Sequence, residues 1–229
     1  SQNEESNSYV SELRTDSQIS ITSVDASRSV GESGIVIESP QSEVTISDVE
    51  TRSNDYSGNS INAESVTFEN VNSNGNGNDG VYINAQTSEV SDYTASNNGD
   101  SLVVEGSKTT ISNVQATSIN GENGVRTIGL DSVSIEDSSF TGAEESNILI
   151  ESSSSEETIS LTSINASQSA GNEGVHIESS DSSEITVADA SLTGNSDNGI
   201  SVQGGTIELN NVDASDNTDI GVWSSGSDI

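Results

Sequence analysis

Residues Gly34 to Ser53, GIVIESPQSEVTISDVETRS, form a unit of two short apolar strands, and most of the chain repeats it. The first strand is Ile35-Val36-Ile37; the second, Val44-Thr45-Ile46, runs into Asp48-Val49. The second half returns as VTFENV from Val66, TTISNV from Thr109, VSIEDS from Val133, ISLTSI from Ile159, ITVADA from Ile185 and IELNNV from Ile207. ISITSV from Ile19 precedes them, and a trimmed VSDY begins at Val90. The first half enters at Gly34, Ser60, Gly80, Ser101, Gly124, Asn147, Gly174, Gly199 and Gly221, at spacings of 26, 20, 21, 23, 23, 27, 25 and 22. A period of about 23 residues holding short strands and no helix-length segment fits one coil of a parallel β-solenoid. Leucine-rich repeats have a similar period, but their L-x-x-L-x-L frame is absent.

Composition alone argues for disorder: 38 acids face 5 bases, a net charge of −33, and only 29% of residues are hydrophobic. The register of the apolar residues overrules it. Side chains alternate along a strand, so inward residues lie two apart. The inward first-strand columns are Ile35, Ile61, Val81, Leu102, Val125, Ile148, Val175, Ile200, Val222 and Ile37, Ala63, Ile83, Val104, Thr127, Ile150, Ile177, Val202. Second-strand columns start at Val44 and Ile46, and two more come after the bend from Val49 and Thr51. Where the Val49 column shrinks to Ser138 and Ala190, the Thr51 column swells to Phe140 and Leu192, as a shared close-packed interior requires.

The residue before the Val49 column reads Ser23, Asp48, Asn70, Asp92, Asn113, Asp137, Ser163, Asp189, Asn211. Asn and Asp suit bends because they tolerate the left-handed region and bond their own backbone. Charged and neutral residues alternate without exception. Coils stack about 4.8 Å apart, so ionised neighbours would repel and alternation doubles their separation. Charge spacing is preferred to an acid/base pair of carboxylates about 10 Å apart.

Outward positions of the second strand are Thr45, Thr67, Thr110, Ser134, Ser160, Thr186 and Glu208, as solvent selects. Those of the first strand are Val36, Asn62, Tyr82, Val103, Arg126, Leu149, His176, Ser201 and Trp223, a much less polar set. Strands apolar on both faces are usually covered on both. This column is therefore the candidate lateral interface for another subunit or a glycan, with Val36, Tyr82, Val103, Arg126, Leu149, His176 and Trp223 as its contact residues.

Alternating GIVIES-type and VTISDV-type strands resemble the right-handed parallel β-helix of the pectin-lyase-like superfamily, over about Ile19 to Trp223. The resemblance implies an all-β fold of nine to ten coils: one domain at 19–229 preceded by a tail or cap at 1–18. It leaves function open among lyases, hydrolases, epimerases, tailspikes, adhesins and surface-fibre proteins. Hydrolases of that group place paired Asp outward with His-Gly and Arg-x-Lys motifs; here the outward column has no carboxylate, Ile177 follows His176, and Lys108 lacks such an Arg. Lyases need a base facing a calcium-binding acidic cluster, for which Arg126 is the sole candidate. No catalytic residue is assigned, and a non-enzymatic protein is expected.

Asn74-Gly75-Asn76-Gly77-Asn78-Asp79-Gly80 has a likeness to a calcium-binding loop, but it occurs once and reads better as a Gly/Asn-rich turn. No cofactor or metal ligand set is assigned; Ca2+ or other cations could at most gather on the acidic surface. The one N-glycosylation triplet is Asn165-Ala166-Ser167, on an expected bend. Absence of Cys excludes disulfides and thiolate metal sites. Absence of Met is explained by removal of an initiator Met or of a signal peptide. No apolar run of about 18 residues is present to span a membrane.

Five bases in 229 residues exclude a nucleic-acid binder. The acid excess opposes compaction through self-repulsion, and at about 1 M salt the screening length falls to about 3 Å, below the coil spacing. A halophile's protein is the economical reading; a calcium-loaded surface protein is the other. At the N-terminal side, Tyr9, Val10 and Leu13 fit either one capping amphipathic turn or a degenerate first strand. At the other side, Val222 and Trp223 lie in a tenth first strand with no cap over it, and uncapped solenoid edges template stacking. The expectation is a structural subunit of an extracellular filament or surface layer, self-associating axially through Tyr9, Val10, Leu13, Val222 and Trp223. The alternative is a carbohydrate-binding or polysaccharide-processing β-helix, of the adhesin, tailspike or lyase type, using the lateral column.

Overall fold

The computed structural model describes residues 8–11, 17–117, 121–152, 154 and 156–228. The strands are β1 (Ser8–Ser11), β2 (Gln18–Thr22), β3 (Ile35–Arg52), β4 (Asn59–Asn74), β5 (Val81–Ser96), β6 (Leu102–Ser112), β7 (Gln115–Thr117), β8 (Val125–Ile128) and β9 (Ser132–Glu136). They continue with β10 (Ser139–Thr141), β11 (Ile148–Glu151), β12 (Thr158–Thr162), β13 (Val175–Glu178), β14 (Glu184–Ser191), β15 (Ile200–Gln203), β16 (Thr206–Asp213) and β17 (Val222–Ser225). Every strand pair is parallel, and each joins one coil to the next. The chain is therefore a parallel β-helix, with ten first-face strands from β1 to β17 enclosing nine coils. Each coil has three faces: the first strand, the second strand, and the short segment after the bend.

The inward columns pack as a single core of almost fully covered Ile, Val, Leu and Ala. Its volume exchange holds: Ser138 and Ala190 are buried beside the buried Phe140 and Leu192. Phe68 and Tyr93 meet edge to face with ring centroids 5.8 Å apart, an arrangement aromatic pairs favour. Tyr93 also donates from its hydroxyl to the Ser101 carbonyl at 2.8 Å, which satisfies its polar end inside the core.

All nine bend residues, Ser23 through Asn211, have φ between 48° and 59°. This left-handed turn carries the chain from the second face to the third, and it explains the demand for short polar side chains there. The alternation has a second physical basis besides charge spacing. Asn70 Nδ2 donates to Asp48 Oδ1 at 2.5 Å, Asn211 Nδ2 to Asp189 Oδ1 at 2.6 Å, and Asn113 Nδ2 to Asp92 Oδ1. Each neutral amide thus caps the carboxylate one coil below it.

A row of asparagines, buried except for the half-buried Asn217, lines the corner before the first face. Asn54 Nδ2 donates to Asn76 Oδ1 at 2.9 Å and Asn76 Nδ2 to Asn98 Oδ1 at 2.9 Å; Asn195 and Asn217 repeat the step at 3.0 Å. The row dictates the entry glycines. A Cβ on Gly34 would stand 2.4 Å from the Ala26 carbonyl oxygen and 2.7 Å from Asn54 Nδ2, and Gly174 is enclosed the same way by Ala166 and Asn195. Asn147 can occupy an entry position because the next coil has Ser169, not Asn, at the ladder position. Its own amide then closes the gap, accepting from Ala143 N at 3.1 Å and donating to the Ser167 carbonyl at 3.0 Å.

One part of the expected register is corrected. The second coil enters at Gly58, not Ser60: Ile35 pairs with Asn59, Val36 with Ser60 and Ile37 with Ile61. Ser60 therefore replaces Asn62 in the outward column, and Ile61 replaces Ala63 in the inward one. The slip of two arises because Asn59 occupies a core position that is apolar in the neighbouring coils. It is tolerated there through donation to Thr51 Oγ1 at 3.3 Å and Ser73 Oγ at 3.5 Å. At the N-terminal side, Tyr9 and Val10 lie in β1, which pairs with Val36 and Ile37, so this segment is a strand and not a helical turn. Leu13 lies outside the described residues.

Candidate functional site

The first face carries its outward residues in one register column: Val36, Ser60, Tyr82, Val103, Arg126, Leu149, His176, Ser201 and Trp223. Beside it runs a second column two residues on, which contains Glu38, Glu105, Glu151 and Glu178. These acids engage the polar members of the first. Tyr82 Oη donates to Glu105 Oε2 at 2.9 Å, and Arg126 donates to Glu151 Oε2 through Nη2 at 3.0 Å and Nε at 3.2 Å. His176 sits between Glu173 at 3.6 Å and Glu178 at 3.4 Å. Of the apolar members, Val36 and Leu149 are half-buried, and Val103 is only 6% exposed, in register between Tyr82 and Arg126.

Tyr82, Val103 and Arg126 share a groove of about 370 Å³ with Glu105 and with Asn78, Asp79, Asp100 and Glu122, which arrive from the preceding corner. Asp79 and Asp100 occupy the position immediately before the first face in adjacent coils. Burial, with the Asp100 charge second, pushes the Asp79 carboxyl up to about 6. Asp100 is raised as well, chiefly by burial, although Asn123 N donates to its Oδ1 at 2.6 Å. Burial and the Glu105 hydrogen bond push the Tyr82 phenol up to about 12. His176 is raised chiefly by its bond to Glu173, whose own carboxyl is lowered by the same contact.

Four carboxylates around one guanidinium make a groove that repels anions and offers many acceptors to a polyhydroxyl ligand, with one aromatic edge. The outward column does not reveal its corner carboxylates, because Asp79, Asp100 and Glu122 stand three or four positions ahead of that column. Repetition of an acid just before the entry residue, at Asp79-Gly80 and Asp100-Ser101, is the signal that marks them. Among the described residues, no group of three or more His, Asp and Glu is placed to hold a metal ion. The Gly/Asn-rich turn gives no cation ligand at Asn76, whose amide is buried and committed to the ladder.

The remaining candidates fall elsewhere. Asn165 lies on the third face between Ser139 and Ser191 in register and lines an open groove of about 650 Å³. Val222 and Trp223 pair with Ile200 and Ser201 on one side; with Ile220 they are exposed by 42%, 41% and 44%. Tyr9 and Val10 stand in the same first-face stack nine coils away.

No helix among the described residues is long and apolar enough to cross a membrane. No curated protein and no solved structure matches the chain. The model of the family described as the right handed beta helix region does match, over residues 33–219, a span that takes in the coils from β3 to β16. The chain belongs to that right-handed β-helix family.

Proposed function

We propose that the chain is a non-catalytic structural subunit of an extracellular filament or surface layer, adapted to concentrated salt and growing by axial stacking of coils. The observation that supports this reading is the parallel ladder of the first face, which runs from β1 to β17 with each strand in register with the next. In and beside β17, Ile220, Val222 and Trp223 are large apolar side chains that stand exposed. A second copy displaced by one coil can therefore continue the parallel ladder with no change of register. Such a contact is heterologous and propagates where the rotation does not close. A net charge of −33 on each copy opposes the approach until salt screens it.

Electron microscopy and sedimentation in about 3 M salt test this, since about 1 M already brings screening below the coil spacing. Filaments that lengthen with salt, and that Val222→Asp abolishes, support it. Material that sediments as monomers at every salt concentration ends it.

A second reading is favoured by the Tyr82–Arg126 groove: binding of a neutral glycan on the lateral face. Its acceptor-rich lining and aromatic edge support this over an acidic glycan. Loss of binding in Tyr82→Ala, with assembly unchanged, separates it from the first.

A further inference from the structure

Asp and Asn adopt the same backbone conformation at the left-handed bends, yet the residues two positions downstream of them differ. The left-handed bends are occupied by either residue at indistinguishable φ: Asp92 and Asn113 both at 51°, Asp189 at 53° and Asn211 at 51°. Both residue types tolerate that region of the backbone map. Two positions on, three of the four Asp bends, Asp92, Asp137 and Asp189, lead to Thr94, Ser139 and Ser191 and the fourth, Asp48, to Glu50, whereas Asn70, Asn113 and Asn211 lead to Asn72, Gln115 and Asp213. The pattern holds over the whole chain. Eight of 16 Asp begin an Asp-x-Ser/Thr triplet, and one of 24 Asn begins an Asn-x-Ser/Thr triplet. The bend conformation does not produce that contrast, because both residues adopt it at the same φ. Besides the amide donor that Asn supplies to the ladder and to the bend carboxylates, the two differ in that only the Asn triplet is an acceptor for N-glycosylation.

The single exception is Asn165, and its surroundings are open. It bridges Ser139 and Ser191 on the third face, two small neighbours that leave the groove of about 650 Å³ beside it. Its Oδ1 is buried and has no hydrogen-bond partner, and the residue lines the groove. The hydroxyl of the triplet is closed off in the fold: Ser167 is 6% exposed, and its Oγ donates to the Ser191 carbonyl at 3.1 Å and accepts from Thr193 N at 3.1 Å.

We infer that the chain passes an N-glycosylating apparatus, that Asn165 is its one glycosylation site, and that acceptors elsewhere have been removed by using Asp in place of Asn. The donor class is a glycosyl diphosphate on a lipid carrier. Asn165 Nδ2 forms a bond to the sugar C1, the C1–oxygen bond to the carrier diphosphate breaks, and the amide proton leaves to a base of the transferase. Because the next coil seals Ser167, transfer precedes the winding of residues 191–193 onto it. The third face that bears the glycan is separate from both the coil ends and the Tyr82 groove, so glycosylation at Asn165 requires neither axial assembly nor ligand binding.

The test is secretion of the full chain through an N-glycosylating host, with a co-secreted host glycoprotein as the positive control and intact mass plus peptide mapping as readout. A glycan on Asn165 in most molecules, lost in both Asn165→Gln and Ser167→Ala, is the expected result. Asp137→Asn, which completes a triplet with Ser139, is expected to gain a second glycan. An unmodified Asn165 alongside a modified control overturns the site. An unmodified Asp137→Asn variant overturns the withholding of acceptors. Folded, unglycosylated chain that accepts a glycan from purified transferase and donor overturns the order of events.

Discussion

Asn76 passes its side-chain amide across one coil to Asn98: Asn76 Nδ2 and Asn76 N both converge on Asn98 Oδ1, at 2.9 Å and 3.0 Å. Asn98 Nδ2 in turn donates to the Ser73 carbonyl at 2.8 Å, so each rung satisfies backbone groups of the coil below it. Both residues are buried, and water cannot replace the amide.

Replacing Asn76 by Ala is therefore expected to cost about 2–4 kcal/mol, because it leaves Asn54 Nδ2 and Asn54 N without their acceptor in a buried corner. Urea unfolding measures it. Asn72→Ala, at an outward position of the same coil, is the control and should change stability by under about 0.5 kcal/mol.

At the bends, Asn113 lies between Asp92 and Asp137 and donates to Asp92. Asn113→Asp keeps the shape, removes that bond and puts three carboxylates on consecutive coils about 4.8 Å apart. Each new contact costs about 0.9 kcal/mol in a water-like dielectric, and the lost bond about 1 kcal/mol. The variant should be destabilised by about 2–3 kcal/mol in 0.1 M salt. In concentrated salt, where only the bond term survives, the deficit should fall to about 1 kcal/mol. A deficit independent of salt in thermal unfolding would show that charge spacing plays no part in the alternation.

Much of this architecture is legible in the sequence because strand periodicity reports burial directly. The inward columns, the Ser138/Phe140 and Ala190/Leu192 exchanges and the left-handed bends can all be read from spacing alone. The ladder cannot. Its residues lie in corners of varying length, where no alternation marks a side chain as inward, and the rung missing at Ala143 is supplied by Asn147 from a different position. The second coil slips by two because a search for apolar residues steps over Asn59, which is inward and polar. The groove acids are hidden for a related reason: Asp79 and Asp100 flank the strand and are not part of its alternation.

Thr109 occupies the inward second-face column between Ser88 and Val133, and its Oγ1 is buried without a hydrogen-bond partner. Val has nearly the same shape and no hydroxyl to desolvate. Thr109→Val is expected to stabilise the fold by about 1 kcal/mol, seen as a higher urea midpoint with an unchanged slope. A fall in the midpoint would mean that the hydroxyl has a partner in solution.

Asp79 supplies the pH dependence of the groove. Its carboxyl is raised from an ordinary 3.8 to about 6, mainly by burial. The folded state therefore holds this proton more tightly than the unfolded chain. Its contribution to stability is complete below about pH 4 and is lost as pH rises through about 6, so that near neutrality Asp79 is a charge the fold would be better without. Asp79→Asn keeps an acceptor for Ser57 and Asn78, which bond Oδ2 at 3.5 Å and 3.0 Å, and removes the charge. The variant should exceed the wild type by about 1–3 kcal/mol at pH 7.5, and the gain should vanish by about pH 4. Paired urea titrations at the two pH values decide it. A gain of equal size at both would assign the effect to packing and leave Asp79 with an ordinary acidity, which would also remove the raised carboxyl from any account of ligand binding beside Tyr82 and Arg126.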